Sequence, residues 1–267
     1  MRRLVAVLVA VMAIAAYAGE IVCEANGFVG HIQGISADAT GIYWSFFDTI
    51  VKTDYKGKTL LTTAIPKHAG DLCAVNEKVY VSVTYYSKKM IDEAGTTGWV
   101  YIYDRDLKFL KKVAIPDSPR PDGITFLNGK FYIASDDFGK EPHPVNTISI
   151  YDSEFKFERK VTVDIEVPTQ YGVQTLNAFD GKILGGFYAK AKMNSVFLEP
   201  PELKKVGLFG TSVDVGMAIV PKEIAGDRKM CIVARLKGKN GDWGSKADIY
   251  EFRDGKLIPA DLNIAAP

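Results

Sequence analysis

IYDRDLKFLKKVAI (residues 102–115) and IYDSEFKFERKVTV (residues 150–163) follow one plan. A β-branched and aromatic run ends at an Asp, a short polar turn follows, and a second run of basic and apolar residues leads away. VKTDYKGKTLLTTAI (51–65) repeats the plan, and FLEPPELKKVGLF (197–209) and YEFRDGKLIPADL (250–262) are looser copies. Aligned, the five put Asp54, Asp104, Asp152, Pro200 and Arg253 in one column at intervals of 48 to 53 residues. Asp suits a turn that ends a strand, because its carboxylate accepts from backbone amides just ahead of it. A period of this length marks a supersecondary unit stacked on copies of itself.

A second column lies upstream of each turn: HIQGISADATGIYW (31–44), HAGDLCAVNEKVYV (68–81), RPDGITFLNGKFYI (120–133), GVQTLNAFDGKILG (172–185) and, with an insertion, VDVGMAIVPKEIAGDRKMCIV (213–233). Ile35, Leu72, Ile124, Leu176 and Met217 align, and in the first four a second strand is expected to start at Ile42, Val79, Phe131 and Ile183. Each unit is therefore four strands. Five units predict an all-β fold, a five-bladed β-propeller of four-stranded antiparallel blades, with Glu20 to Asn26 as an extra strand to help close the ring. A sandwich or smaller barrel also uses many short strands, but neither needs the same unit five times. No stretch sustains a helical apolar period, so no long helix is expected. Insertions at 87–98, 136–146, 188–194 and 237–246 fall between second and third strands, which gathers them on one rim.

The chain has 267 residues, 47% hydrophobic and 11% aromatic, with 33 Lys+Arg against 32 Asp+Glu. That is the composition of an ordinary globular protein, and its near-neutral balance argues against a nucleic-acid binder. Residues 1–18 read as a signal peptide: Arg2 and Arg3 precede the apolar run Leu4 to Ala16, which is too short to span a bilayer, and Ala16-Tyr17-Ala18 fits a cleavage site. Residues 19–267 are then a single domain in an extracytoplasmic setting, periplasmic or secreted, with no membrane association after cleavage. Three cysteines allow at most one disulfide, for which Cys23 and Cys231 are the candidates, while Cys73 and Cys231 sit in apolar runs as small buried hydrophobes.

The repeated IYD turns, the leader, and the pair HIQG (31–34) and HAGDL (68–72) resemble secreted β-propeller proteins of bacterial type. The resemblance implies the fold and export, and it implies no particular activity.

In a propeller the starts of the innermost strands converge at one mouth of the central channel. Those starts carry His31 and Gln33, then His68 and Asp71, then Arg120 and Asp122, then Tyr171, Gln174 and Asn177, then Asp214. His31 and His68 occupy the same position in adjacent units, so they are expected to face one point. With Gln33 and Gln174 they have the donor types of a site for one divalent ion, Mn, Zn, Ca or Ni. A bound ion would polarise a carbonyl or acidify water. Without one, His31, His68, Arg120 and Tyr171 are the catalytic candidates, as acid, base and anion partner. Gln33, Asp71, Asp122, Gln174, Asn177 and Asp214 are the substrate-binding candidates. The carboxylates Asp71, Asp122 and Asp214, in successive units, also suit two acids flanking a sugar. Tyr85, Tyr86, Trp99, Phe138, Tyr188 and Trp243, on or beside the insertions, are candidates for stacking on sugar rings, with blade packing as the alternative. His143, in EPHPVN, reads as a solvated loop residue.

There is no HExxH, GxSxG, P-loop, GxGxxG or CxxC pattern, so zincin, α/β-hydrolase, nucleotide and thiol-redox readings lack support. The expectation is an exported enzyme acting on a carbohydrate or related polar small molecule, as a lyase or hydrolase, with or without a metal ion. Its rival is a noncatalytic propeller that binds a glycan or protein partner through its rim loops. A purely structural reading of the axial residues stands beside both, since fold does not decide function.

Overall fold

A computed structural model describes residues 19–25, 30–66, 68–135, 146–188, 194–209, 211–237, 243–254 and 256–262. The leader, His143, Phe138 and much of three insertions lie outside them. Blade 1 is β2 (Ile32–Asp38), β3 (Gly41–Phe46), β4 (Thr49–Thr53) and β5 (Thr59–Ala64). Blade 2 is β6 (Ala69–Val75), β7 (Lys78–Thr84), β8 (Gly98–Asp104) and β9 (Phe109–Ala114). Blade 3 is β10 (Pro121–Leu127), β11 (Lys130–Ser135), β12 (Asn146–Asp152) and β13 (Phe157–Val163). Blade 4 is β14 (Gln170–Phe179), β15 (Lys182–Tyr188), β16 (Ser195–Glu199) and β17 (Lys204–Phe209). Each is a four-stranded antiparallel sheet in sequence order. The protein is a five-bladed β-propeller.

Blade 5 is built from both ends of the chain. Its first three strands are β18 (Met217–Ile219), β19 (Met230–Lys237) and β20 (Trp243–Arg253). The outer edge of β20 is shared: β21 (Lys256–Pro259) pairs with one half and β1 (Glu20–Val22) with the other. Gly19 N–H donates to the Ala260 carbonyl (3.0 Å), so the two short strands run on as one. Arg235 pairs with Glu20 and Asp248 across this join.

The expected turn column is a structural device. Asp54 Oδ1 accepts the amides of Lys56 (2.8 Å) and Lys58 (3.0 Å), Asp104 Oδ1 those of Asp106 (3.0 Å) and Lys108 (2.9 Å), and Asp152 Oδ1 those of Glu154 and Lys156 (both 2.9 Å). Pro200 and Arg253 lack such a carboxylate, and blades 4 and 5 turn by other means. Second strands begin one residue before the expected apolar position, at Gly41, Lys78, Lys130 and Lys182. The described helices are α1 (Lys88–Ala94), in the β7–β8 connection, and α2 (Lys222–Ala225), in blade 5. No described helix is long and apolar enough to cross a membrane.

Alternating side chains from facing sheets form five apolar clusters, one in each seam between neighbouring blades. Trp44, fully buried in the seam of blades 5 and 1, gives its indole N–H to Thr53 Oγ1 (2.9 Å). Cys23, Cys73 and Cys231 are all free and buried. Cys23 and Cys231 belong to different seams, so the candidate disulfide is not formed.

The innermost strands, β2, β6, β10, β14 and β18, leave amides unpaired along the axis. Asp71, wholly buried, satisfies two of them from other blades: its Oδ2 accepts from Leu176 (2.9 Å) and Ile124 (3.3 Å). Glycine makes room for this contact. A Cβ on Gly34 would lie 2.3 Å from Asp71 Oδ1, and one on Gly123 would lie 2.9 Å from the Thr175 carbonyl carbon. Backbones and one carboxyl thus close the channel midway and separate an upper mouth, where innermost strands begin, from a lower mouth, where they end.

Candidate functional site

The upper mouth is shaped by irregular backbone. Pairing slips between Ile32 and Gly34, Ala69 and Leu72, Pro121 and Ile124, and twice in β14, between Gln170 and Val173 and between Val173 and Thr175. A bulge turns successive side chains away from strict alternation, which lets Gln33, Asp122 and Gln174 face the mouth while their neighbours stay in the seams. Tyr171 sits in the β14 irregularity at φ 62°, a left-handed conformation that an aromatic residue rarely adopts, and its side chain is 44% exposed. Strain of this kind persists where surrounding structure holds it, often at working sites.

Each blade brings polar groups to the rim. From blade 1, His31 Nδ1 donates to the Ile32 carbonyl (2.7 Å), and the Gln33 amide nitrogen lies 3.2 Å from Nδ1 and 3.4 Å from Nε2. From blade 2, His68 packs edge-on against Phe47 (4.3 Å) and Tyr86 (5.6 Å between ring centroids). His31 meets the same Phe47 at 5.3 Å, so this phenyl ring contacts both imidazoles. Gly30, at φ 80°, admits it: a Cβ there would lie 2.2 Å from the ring. From blade 3, Arg120 donates to the Tyr86 hydroxyl (3.2 Å), with its guanidinium over that ring. The Gln174 amide of blade 4 bridges the Asp122 carboxylate (3.3 Å) and the Tyr171 carbonyl (2.6 Å). Tyr188 stands edge-on to Tyr171 at 6.5 Å. At the start of blade 5, Asn194 Nδ2 donates to Ser212 Oγ and Ser212 to Asp214 Oδ1, both at 2.7 Å.

These surroundings pull titrations apart. Burial raises the Asp214 carboxyl above its ordinary range, against the opposing hydrogen bond from Ser212, two backbone amides and the nearby His31. Burial lowers His68 to about 4, with help from the charges of His31 and Arg120. Burial raises the Tyr188 phenol as well, reinforced by Asp214, Asp122 and Tyr171. The couplings follow the ring in order: Asp214 feels His31, and His68 feels His31 and Arg120.

Of the expected residues, His31, Gln33, His68, Arg120, Asp122, Tyr171, Gln174 and Asp214 gather at this mouth. Asp71 and Asn177 do not. Asp71 lies beneath the site, where burial raises its carboxyl well above the ordinary range. Asn177, three residues past Gln174 on β14, lines a cavity at the lower mouth. Tyr85 and Trp99 pack into blade 2, under the Lys112 ammonium, whereas Tyr86 and Tyr188 reach the site. Phe47, Asn194 and Ser212 are the members that sequence reading misses. Phe47 had a signal: Phe46-Phe47, Tyr85-Tyr86 and Phe187-Tyr188 each close a second strand, the first ring buried and the second at the mouth. Among the described residues, no group of three or more His, Cys, Asp or Glu is placed to hold a metal ion.

No protein-family model matches the sequence, and no curated protein matches it. Solved structures do resemble the fold. The glutaminyl cyclase of Myxococcus xanthus superposes with a TM-score of 0.62 at 14% identity, covering 91% of this chain and 96% of that one. A gluconolactonase of Xanthomonas campestris gives 0.51 at 11% identity, over 82% and 71%. At such identities the likeness establishes the shared propeller architecture.

Proposed function

We propose that the upper mouth is the active site of an exported enzyme that acts on a carbohydrate or related polar small molecule by hydrolysis or elimination. The observation that carries this reading is the convergence, from all five blades, of acid, base and anion-binding groups held in unlike surroundings. Pairs of groups whose environments push them in opposite directions are candidates for the acid and base roles. Asp214, inclined to keep its proton, is the general acid. His68, inclined to lose its proton, is the base, with His31 between them to relay charge. Arg120, braced on Tyr86, faces an anionic or carbonyl oxygen of the substrate. Asp122 and Gln174 bind hydroxyls, and Tyr171 and Tyr188 supply ring faces and phenols.

An ion held by His31, His68, Gln33 and Gln174 is the less favoured version. Phe47 packs against both imidazoles, and Gln174 gives its amide to Asp122 and Tyr171. Metal-free proton transfer fits this geometry better. A second reading, cyclisation of an aminoacyl substrate with loss of ammonia, draws on the glutaminyl cyclase likeness and on Asp122 and Asp214 near Tyr188, since two carboxylates suit a primary amine.

The test is a turnover screen of the purified mature protein on aldonolactones, uronate-containing oligosaccharides and glutaminyl peptides, with metal content measured on the same samples. Turnover of one class, lost in Asp214→Asn and His68→Phe variants that remain folded, supports the reading. A protein inert to all three that binds immobilised glycans undiminished by either substitution would favour the noncatalytic rival.

A further inference from the structure

The lower mouth of the channel holds a cavity of about 140 Å³ whose polar lining is unlike that of the upper site. One residue past the aligned apolar positions, the five innermost strands present Ser36, Cys73, Thr125, Asn177 and Ala218. The first four line the cavity, and no charged side chain does. Ser36 Oγ accepts the Ala74 amide (2.9 Å) and Thr125 Oγ1 accepts the Ala178 amide (3.0 Å). Each hydroxyl therefore has its own proton left to give. Asn177 is 9% exposed, and its Nδ2 has no hydrogen-bond partner. A buried donor left unpaired in the wall of a cavity calls for an acceptor from outside the protein. The Asp71 contact and the glycines about it separate this cavity from the upper mouth, so it is not a lobe of the proposed active site.

We propose that the lower mouth is a second binding site, which takes the carboxylate or carbonyl end of a small molecule through hydrogen bonds donated by Ser36, Thr125 and Asn177. The chemistry of the lining selects this class. Four protons on three side chains point to a ligand whose buried end offers oxygen acceptors, and the cavity admits only a few heavy atoms. A cation is disfavoured, because no carboxylate lines the cavity and each hydroxyl oxygen already accepts one backbone amide. Cys73, in the same wall, is a built-in reporter of occupancy.

Acetate is the probe, and methylammonium, of similar size and opposite demand, is its comparison. In the full-length folded protein, acetate is expected to shift the Asn177 side-chain amide resonances saturably and to slow modification of Cys73 by a small methanethiosulfonate severalfold. Methylammonium is expected to do neither. Asn177→Leu, of similar volume without donors, weakens the protection of Cys73 by about tenfold. Thr125→Val weakens it in the same direction and stands in if the first variant does not fold. No saturable shift with acetate, equal protection by methylammonium, or protection that survives both substitutions overturns the proposal.

Discussion

The turn that ends the third strand is built with the same atoms in blades 1, 2 and 3, whereas the start of the first strand changes its chemistry around the ring, sharing a His between blades 1 and 2 and a Gln between blades 1 and 4. Asp54, Asp104 and Asp152 each accept two amides through Oδ1 at 2.8–3.0 Å. At the axis the corresponding members are a His with a Gln, a second His, an Arg with an Asp, a Tyr with a Gln, and an Asp. One position repeats because a fold needs it repeatedly. The other diverges within a single chain, at a place where five strands meet, as the proposed active site requires, since acid, base and anion partner must be unlike groups facing one another.

The comparison breaks first at Asp214. Asn there is expected to lower kcat/KM by about 100-fold on whatever substrate the screen yields, with thermal unfolding unchanged. Full activity in that variant would return the axial residues to a structural role. Next comes the close approach beneath the site. Gly34→Ala should destabilise by about 2 kcal/mol in urea unfolding, since its new methyl overlaps the Asp71 carboxyl and backbone. A neutral result would mean that the innermost strands are free to separate.

Acid titration sharpens the contrast further. His68 loses its proton more readily when folded, so between about pH 6.5 and 4 the unfolded chain binds the extra proton. Its contribution is full above that window and is lost as pH falls through it, roughly 1–2 kcal/mol for a group only partly shielded from solvent. Asp71 has the opposite sign: the folded protein holds a proton that the unfolded chain releases, so its contribution declines as pH rises above about 3.8. Melting curves across this range should lose the first slope in His68→Phe and the second in Asp71→Asn. The smallest effect belongs to the outer turns. Asp104→Ala should cost about 1 kcal/mol by denaturant titration, without change in turnover, and Asp54→Ala and Asp152→Ala should match it. Unequal losses at the three would show that the likeness of these turns is only geometric.

The fold was legible because turns are local. An Asp that accepts from amides two and four residues on needs nothing from the rest of the chain, so its spacing survives in the sequence. The site was half legible. Its strand starts were readable, but depth depends on register, and a bulge moves a side chain between seam and axis without any mark in the pattern. Asp71 and Asp122 stand one column apart in HAGDL and RPDGI, and that single step leaves one wholly buried and the other facing the mouth. Gln174 and Asn177 sit three residues apart on one strand and end at opposite mouths. Phe47 escaped because a two-residue turn, rather than a strand start, delivers it between the imidazoles.

The shared outer edge of β20 also dictates an order of assembly. Blades 1 to 4 can form as the chain is made, each from contiguous strands, but the fifth waits for its last segment and then needs the first one brought back to meet it. Loop-closure entropy grows only logarithmically with the length spanned, so this clasp costs little more than a local one and simply comes late. Until it shuts, β20 offers a row of unpaired backbone groups to any strand nearby. A chain trimmed at Glu20–Val22 or at Lys256–Pro259 would keep four finished blades and a fifth with an open flank, and its characteristic failure would be to borrow the missing strand from a neighbour.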